Sequence, residues 1–332
     1  MGTTRREILS RAAGFLLATG LGTQRARASA LAPDDTGPLP IIDTHQHLWD
    51  LQRNSPAWLK SASGVLHHTY MTREYLEATK GLNVVQAVYM EVDVAPGQHV
   101  EEATTIVALC REGKAPTRSA VIGGRPASEE FGAYLARFRQ FPEVKGVRQV
   151  LHGGETPPGF CLRSEFVRGI QALGRAGLRF DLCLRPSELG DGVKLVDQCP
   201  ETRFIVDHCG NADPKAFGKR ADGSAPSHDP EAWKRGMAAL AKRPGVMCKI
   251  SGVIASAPKE GQVESLVPVI DHCLDTFGPD RVMFGGDWPV CLQGNSYRGW
   301  VEALRTIVSG RPLADQRKLW HDNAARFYGL TT

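Results

Sequence analysis

Ile41-Ile42-Asp43-Thr44-His45-Gln46-His47 opens on two β-branched residues and then sets Asp43, His45 and His47 at every second position. Alternate residues of a strand face one side, so the spacing predicts a buried strand whose three polar side chains project together. A His-x-His pair on such a face can ligate a metal ion or polarise a substrate oxygen. A distant segment, Arg281-Val282-Met283-Phe284-Gly285-Gly286-Asp287-Trp288-Pro289, follows the same plan: a hydrophobic run ends in one acidic residue.

Outward from these two stretches, strand-like and helix-like segments alternate. The strand candidates are Ile41–His47, Val84–Asp93, Ser119–Gly123, Val144–Leu151, Leu178–Leu184, Arg203–His208, Val246–Ser251 and Arg281–Asp287, short and rich in β-branched residues. Helical signals lie between them. Ser164 and Ser187 are cap candidates, Asp229-Pro230 reads as a cap with proline in the first turn, and Asn295 or Ser296 starts a helix stopped by Gly310. Eightfold strand–helix alternation predicts an α/β fold, a single-domain (β/α)8 TIM barrel. A doubly wound open sheet is the alternative, but Leu48-Trp49-Asp50 stands where its glycine-rich phosphate loop would be.

Connections from helix to strand are short, as at Lys80–Asn83 and Gly278–Asp280, whereas Leu48–Met71 and Cys209–His228 are long. Long loops in a compact domain are usually functional, and barrel sites form at the C-terminal ends of the strands. That end is the expected working face.

With 332 residues the chain can bury a large core, and its +4 formal charge is too mild to indicate nucleic acid. Residues 1–30 differ from the rest. Thr4-Arg5-Arg6-Glu7-Ile8-Leu9, the apolar Ala12–Gly22 and Ala26-Arg27-Ala28-Ser29-Ala30 resemble a twin-arginine export signal. The apolar part, about eleven residues, is too short for a span of roughly twenty. The expected organisation is a signal peptide over 1–30, a linker over 31–39 and a catalytic domain over 40–332. It implies a periplasmic or secreted protein with no stable membrane anchoring after signal cleavage. The eight cysteines include no Cys-x-x-Cys pair, and free, buried thiols are expected.

The polar residues nearest the strand ends are His45 and His47, Glu91 and Asp93, Arg148 and His152, Asp181 and Arg185, His208, Lys249 and Ser251, and Asp287. Burying so many such groups without use would cost several kcal/mol, so they predict a site. Lys249 is read two ways: reaching substrate, or pairing with Glu91 or Asp287. Trp49, Trp58 and Tyr70 either wall the pocket or pack the first long loop. His67, His68 and His228 are read as solvent-facing, and Lys219-Arg220 as a solvated loop.

Asp43-Thr44-His45-Gln46-His47-Leu48-Trp49, Lys145-Gly146-Val147-Arg148-Gln149, Asp207-His208-Cys209-Gly210 and Phe284-Gly285-Gly286-Asp287-Trp288-Pro289 together resemble the amidohydrolase superfamily. More narrowly, they resemble its TIM-barrel lactonase branch of sugar-acid and pyrone-dicarboxylate lactonases. The resemblance covers about Pro40 to Leu330 and implies hydrolysis of a small cyclic ester, a sugar-acid or carboxylated lactone. It implies Asp287 as general base, with His45, His47 and His208 polarising the carbonyl. Arg148, and by position Arg185, would bind a substrate carboxylate or hydroxyl, with Lys249 and Glu91 also counted as substrate-binding. His45 and His47 are the metal candidates, for one divalent ion such as zinc. The fifth-strand histidine usual in mononuclear relatives is missing, and Glu91 or Asp181 is the oxygen ligand on offer. Alternatives are a metal-dependent decarboxylase and a non-catalytic binding barrel. The partner expected is a small-molecule substrate; the sequence leaves a homo-oligomer open.

Overall fold

The computed structural model describes residues 37–53, 56–62, 64–154, 156–218 and 225–331. The chain divides into Met1–Gly37 and Pro38–Thr332, and the second unit carries everything below. The expected signal segment and Lys219-Arg220 lie outside the described residues.

Eight strands follow one another around a single parallel sheet in sequence order. They are β1 (Ile41–Gln46), β2 (Val84–Met90), β3 (Thr117–Gly123), β4 (Val144–Val150), β5 (Arg179–Cys183), β6 (Arg203–Val206), β7 (Val246–Ile250) and β8 (Val282–Phe284). The helices between and after them are α1 (Thr72–Thr79), α2 (His99–Glu112), α3 (Phe131–Phe138), α4 (Ser164–Arg175), α5 (Leu189–Gln198), the short turn α6 (His208–Asn211), α7 (Pro230–Ala241), α8 (Gln262–Phe277), α9 (Tyr297–Val308), α10 (Leu313–Arg317) and α11 (Asn323–Tyr328). This is a (β/α)8 barrel. Each expected strand is present, but several end up to three residues earlier than the hydrophobic runs suggest. The trailing polar residues have already left the ladder. Asp229 caps α7 by accepting from the Glu231 N–H, and Ser296 caps α9 by accepting from Gly299.

Period-two alternation divides the core in two. Ala87 and Tyr89 of β2 face outward to the helices, whereas Val88 and Met90 face the barrel interior with Ile42, Val121, Ile205, Met247 and Met283. Ala324, Phe327 and Tyr328 of α11 complete that inner layer from below. The guanidinium of Arg203 stacks 4.7 Å from the Phe327 ring.

β1 departs from simple alternation. Asp43 pairs with Ala87 and Gln46 with Tyr89, so three steps on β1 match two on β2. One extra residue reverses which side faces in. Asp43 therefore does not share a face with His45 and His47, correcting the expectation from spacing. Its carboxylate instead accepts from the His45 and Gly286 amides (2.9 and 2.7 Å) and from the Tyr75 and Tyr297 hydroxyls (2.8 and 3.1 Å). Burial raises the Asp43 pKa, opposed by these four donors. A Cβ at Gly286 would run into that carboxylate and Tyr297, which explains the second glycine before Asp287.

β8 meets β1 through one isolated bridge, Gln46 to Trp288, rather than a full ladder. The seam is held by Asp43, by the Thr44 hydroxyl donating to the Phe284 carbonyl (2.7 Å) and by His47 N–H donating to the Trp288 carbonyl (2.8 Å). Asp43→Ala would strand four buried donors, and a loss on the order of 4 kcal/mol is expected. Asp43→Asn keeps one acceptor oxygen and lets its amide donate to the tyrosine oxygens, so it should cost less than half as much. Urea midpoints of the two variants check this; equal losses would refute it.

Candidate active site

The bulge in β1 turns His45 and His47 inward, and the residues after β6 and β8 turn sharply to meet them. His208 and Asp287 have φ of 53° and 51°, a left-handed backbone that non-glycine residues adopt at a cost of about 1–3 kcal/mol. Gly252 permits the close approach of His208, because a Cβ there would strike the imidazole ring. The result is three imidazoles in contact, with His45 centred 4.9 Å from His47 and 4.4 Å from His208. Asp287 Oδ1 lies 3.3 Å from His47 Nε2 and 3.7 Å from His45 Nε2. The four expected residues are thus gathered at one place. His47, His208 and Asp287 line a cavity of about 400 Å³ at the barrel mouth, together with Arg148. His45 is fully buried behind that lining.

Hydrogen bonds fix the ring nitrogens. His47 Nδ1 lies 3.0 Å from the Met90 carbonyl and must donate to it, which leaves a lone pair on Nε2. His45 Nε2 receives an N–H from Arg148 Nη1 at 3.2 Å, so its Nδ1 carries the proton and faces Asp207 at 3.6 Å. His208 Nδ1 is 3.0 Å from the Ser251 hydroxyl, and Nε2 is the nitrogen left for a ligand. Burial holds His45 and His208 below the usual imidazole pKa, favouring neutral rings.

His45 Nε2, His47 Nε2 and Asp287 Oδ1 therefore converge, with the His45 lone pair taken up by the Arg148 N–H. A metal ion held by all three would require Arg148 to release that nitrogen. The three residues can place ligand atoms within 4.8 Å of one another. Two imidazoles and one carboxylate are a donor set that zinc accepts while keeping a position open, and the carbonyl behind His47 orients it as a ligand. The residues present fit a divalent ion. Asp181, the other oxygen ligand considered, is remote from this trio: it pairs with Lys249.

From Arg148 in the lining, a chain of buried charges runs inward. Arg148 Nε donates to Glu91 Oε1 at 2.6 Å and Nη2 to the Glu91 carbonyl at 2.8 Å, while Nη1 is 3.6 Å from Asp207. Glu91 Oε2 accepts the Asp93 N–H. Glu91 is fully buried with both oxygens engaged, so it supports Arg148 and does not meet substrate. Lys249 is equally buried and bonds to Asp181 and, at 3.1 Å, to Asp207. Lys249 therefore does not reach the cavity, and it forms a structural ion pair, with Asp181 and Asp207 in place of the expected Glu91 or Asp287. Burial works against its ammonium, yet the two carboxylates keep its pKa above the ordinary value. Arg185 is also displaced from the expected role. It bonds Glu188 at 2.6 Å and the carbonyls of Leu151, Gly153 and Thr156, clamping the loop after β4.

Asp207 is the residue that sequence reasoning passed over. It is fully buried and touches Lys249, His45 and Arg148. Burial opposes its charge, but Lys249, His208 and Arg148 outweigh it and hold its pKa below the usual range. Its signal was its place immediately before His208, in a motif read for the histidine alone. Trp58 lines the cavity, whereas Trp49 and Tyr70 are buried against each other. His67 and His68 are exposed as expected, although His67 also bonds the Leu59 carbonyl. His228 is half-buried and accepts the Asp213 N–H at 3.1 Å, so it is not simply solvent-facing. All eight cysteines are free and buried. Among the described residues no helix is long and apolar enough to cross a membrane.

Lys249→Met would leave Asp181 charged and without its cation, and a loss of about 3–5 kcal/mol is expected. Lys249→Met with Asp181→Leu removes the orphaned charge and should recover most of that loss. Urea unfolding of the pair decides whether this network is held together by charge.

The family model described as amidohydrolase matches residues 42–330. An L-fucono-1,5-lactonase of Burkholderia multivorans is 27% identical, over 87% of this chain and 96% of its own. An amidohydrolase from the same species, solved with bound zinc, aligns at a TM-score of 0.76 and 24% identity, covering 88% of this chain and all of that one. A 5-carboxyvanillate decarboxylase from Novosphingobium aromaticivorans, solved with manganese, aligns at 0.62 and 13% identity over 89% and 97%. At these identities the two structures share the fold. The chain belongs to the amidohydrolase family.

Proposed function

We propose that this amidohydrolase opens a small lactone by water attack on the ring carbonyl. One observation carries the reading: Asp287 stands among His45, His47 and His208 at the foot of the cavity in the barrel mouth. The lactonase name of a relative matched along nearly its whole length supports it.

Asp287 Oδ1 faces His47, and in this reading the carboxylate takes a proton from the attacking water. The water oxygen bonds to the carbonyl carbon, the carbonyl oxygen becomes an oxyanion, and the ring C–O bond then breaks. The proton held by Asp287 passes to the departing alkoxide, so lactone and water give one hydroxy acid. The His208 ring, held at Nδ1 by the Ser251 hydroxyl, would present an Nε2–H to the oxyanion in the tautomer where Ser251 donates. Asp207 holds the His45 ring in one tautomer, and Arg148 supplies positive charge beside it. A divalent ion would be held by His45, His47 and Asp287, and would supply Lewis-acid polarisation of the carbonyl.

Lactones offered with a pH indicator should release acid, and Asp287→Asn should lower kcat by at least about a hundredfold, the scale of general-base loss. A parental rate in that variant would refute the role of Asp287. Carbon dioxide evolved from aromatic acids, with no acid released from lactones, would replace the proposal with a decarboxylase.

The twin-arginine stretch motivates a second part of the proposal: the chain is exported folded, so that any metal is acquired before transport. Replacing Arg5 and Arg6 with lysine should retain the protein in the cytoplasm on cell fractionation. Unchanged distribution would count against export.

A further inference from the structure

We infer that the cavity selects neutral, hydrocarbon-rich lactones over polyhydroxylated or carboxylated ones. This deepens the lactonase reading and rests on it. Above the polar floor, the walls are Trp58, Val92, Val150, Ala212, Val253 and Val290. The polar side chains interspersed with them are already engaged. Asp93 pairs with Arg125, the Asn211 amide donates to the Leu184 carbonyl, and the Ser256 hydroxyl donates to the Val253 carbonyl. The Trp58 ring N–H is spent on the Val92 carbonyl. Exposed His152 at the rim is left to meet one oxygen of a ligand.

The cations tell the same story. A substrate carboxylate set against apolar walls needs a partner. Arg148 lines the cavity, but its charge is already met by Glu91 and, through Nη1, by Asp207; Arg185 clamps a loop, and Lys249 is sealed under the floor. Among the described residues, no unpaired cation faces the cavity. Asp287 and Asp93 line it, and both would repel a second carboxylate. A sugar lactone is disfavoured too, since several ring hydroxyls would face valine methyl groups without partners, a discrimination on the order of a hundredfold. An alkyl or aryl substituent, by contrast, buries apolar surface against those same walls.

The test compares kcat/KM for three probes of one ring size: an alkyl-substituted δ-lactone, a polyhydroxylated δ-lactone and a δ-lactone bearing a carboxylate. The alkyl lactone is expected to lead both others by at least a hundredfold. Val150→Thr and Val253→Thr, which exchange a wall methyl for a hydroxyl, should each raise KM for the alkyl lactone about fourfold. Unsubstituted δ-valerolactone is the fourth ring, the reference for turnover with no substituent against those walls. Equal or better turnover of the hydroxylated or carboxylated ring overturns the inference while leaving the lactonase reading intact. Failure of the enzyme on all four rings removes both.

Discussion

The β1–β8 seam is the constraint on which the rest depends. A barrel of eight parallel strands must close, and here the last strand meets the first through a few bonds rather than a continuous ladder. One of those bonds runs from the Gly286 amide to Asp43, whose carboxylate also accepts from His45, Tyr75 and Tyr297 and so ties β1 to the turn after β8 and to α1 and α9. The same few residues carry the chemistry. Two positions beyond Asp43 stands His45, and directly after Gly286 stands Asp287. Holding the seam shut and aligning the imidazoles with the carboxylate are one act.

Most of the architecture was readable in the sequence because burial on both faces demands unbroken β-branched runs. Eight such runs can be counted without coordinates. The gathering of His45, His47, His208 and Asp287 was readable too, since each ends or follows a strand of one barrel. What escaped were details set by single insertions and by pairings across the interior. Alternation alone put Asp43 with the histidines, and only the register of β1 against β2 reveals the extra residue that separates them. Lys249 and Arg185 have the charge of substrate-binding groups, but sequence spacing does not disclose that Asp181, Asp207 and Glu188 have already claimed them. The expected sugar-acid or carboxylated ring came from the family resemblance, and neither Lys249 nor Arg185 lines the cavity to receive it.

Beneath the cavity, charges alternate along the chain Glu91, Arg148, Asp207, Lys249 and Asp181. Each sits where burial alone would be prohibitive, and each is tolerable because its neighbour has the opposite sign. The arrangement presents His45 with a guanidinium on one nitrogen and a carboxylate near the other. A ring so flanked keeps its tautomer and its angle, which is what a site of this kind requires.

The inner apolar layer of the barrel is completed from below by Ala324, Phe327 and Tyr328, far along the sequence from the Ile42 they pack with. During synthesis, all eight strands leave the ribosome before the segment that covers their lower rim. Until then the methyl groups of Ile42, Val121 and Ile205 have water or another chain for a neighbour. A nascent barrel of this kind stays sticky until its final turns are made, and a shielding chaperone matters most in that interval.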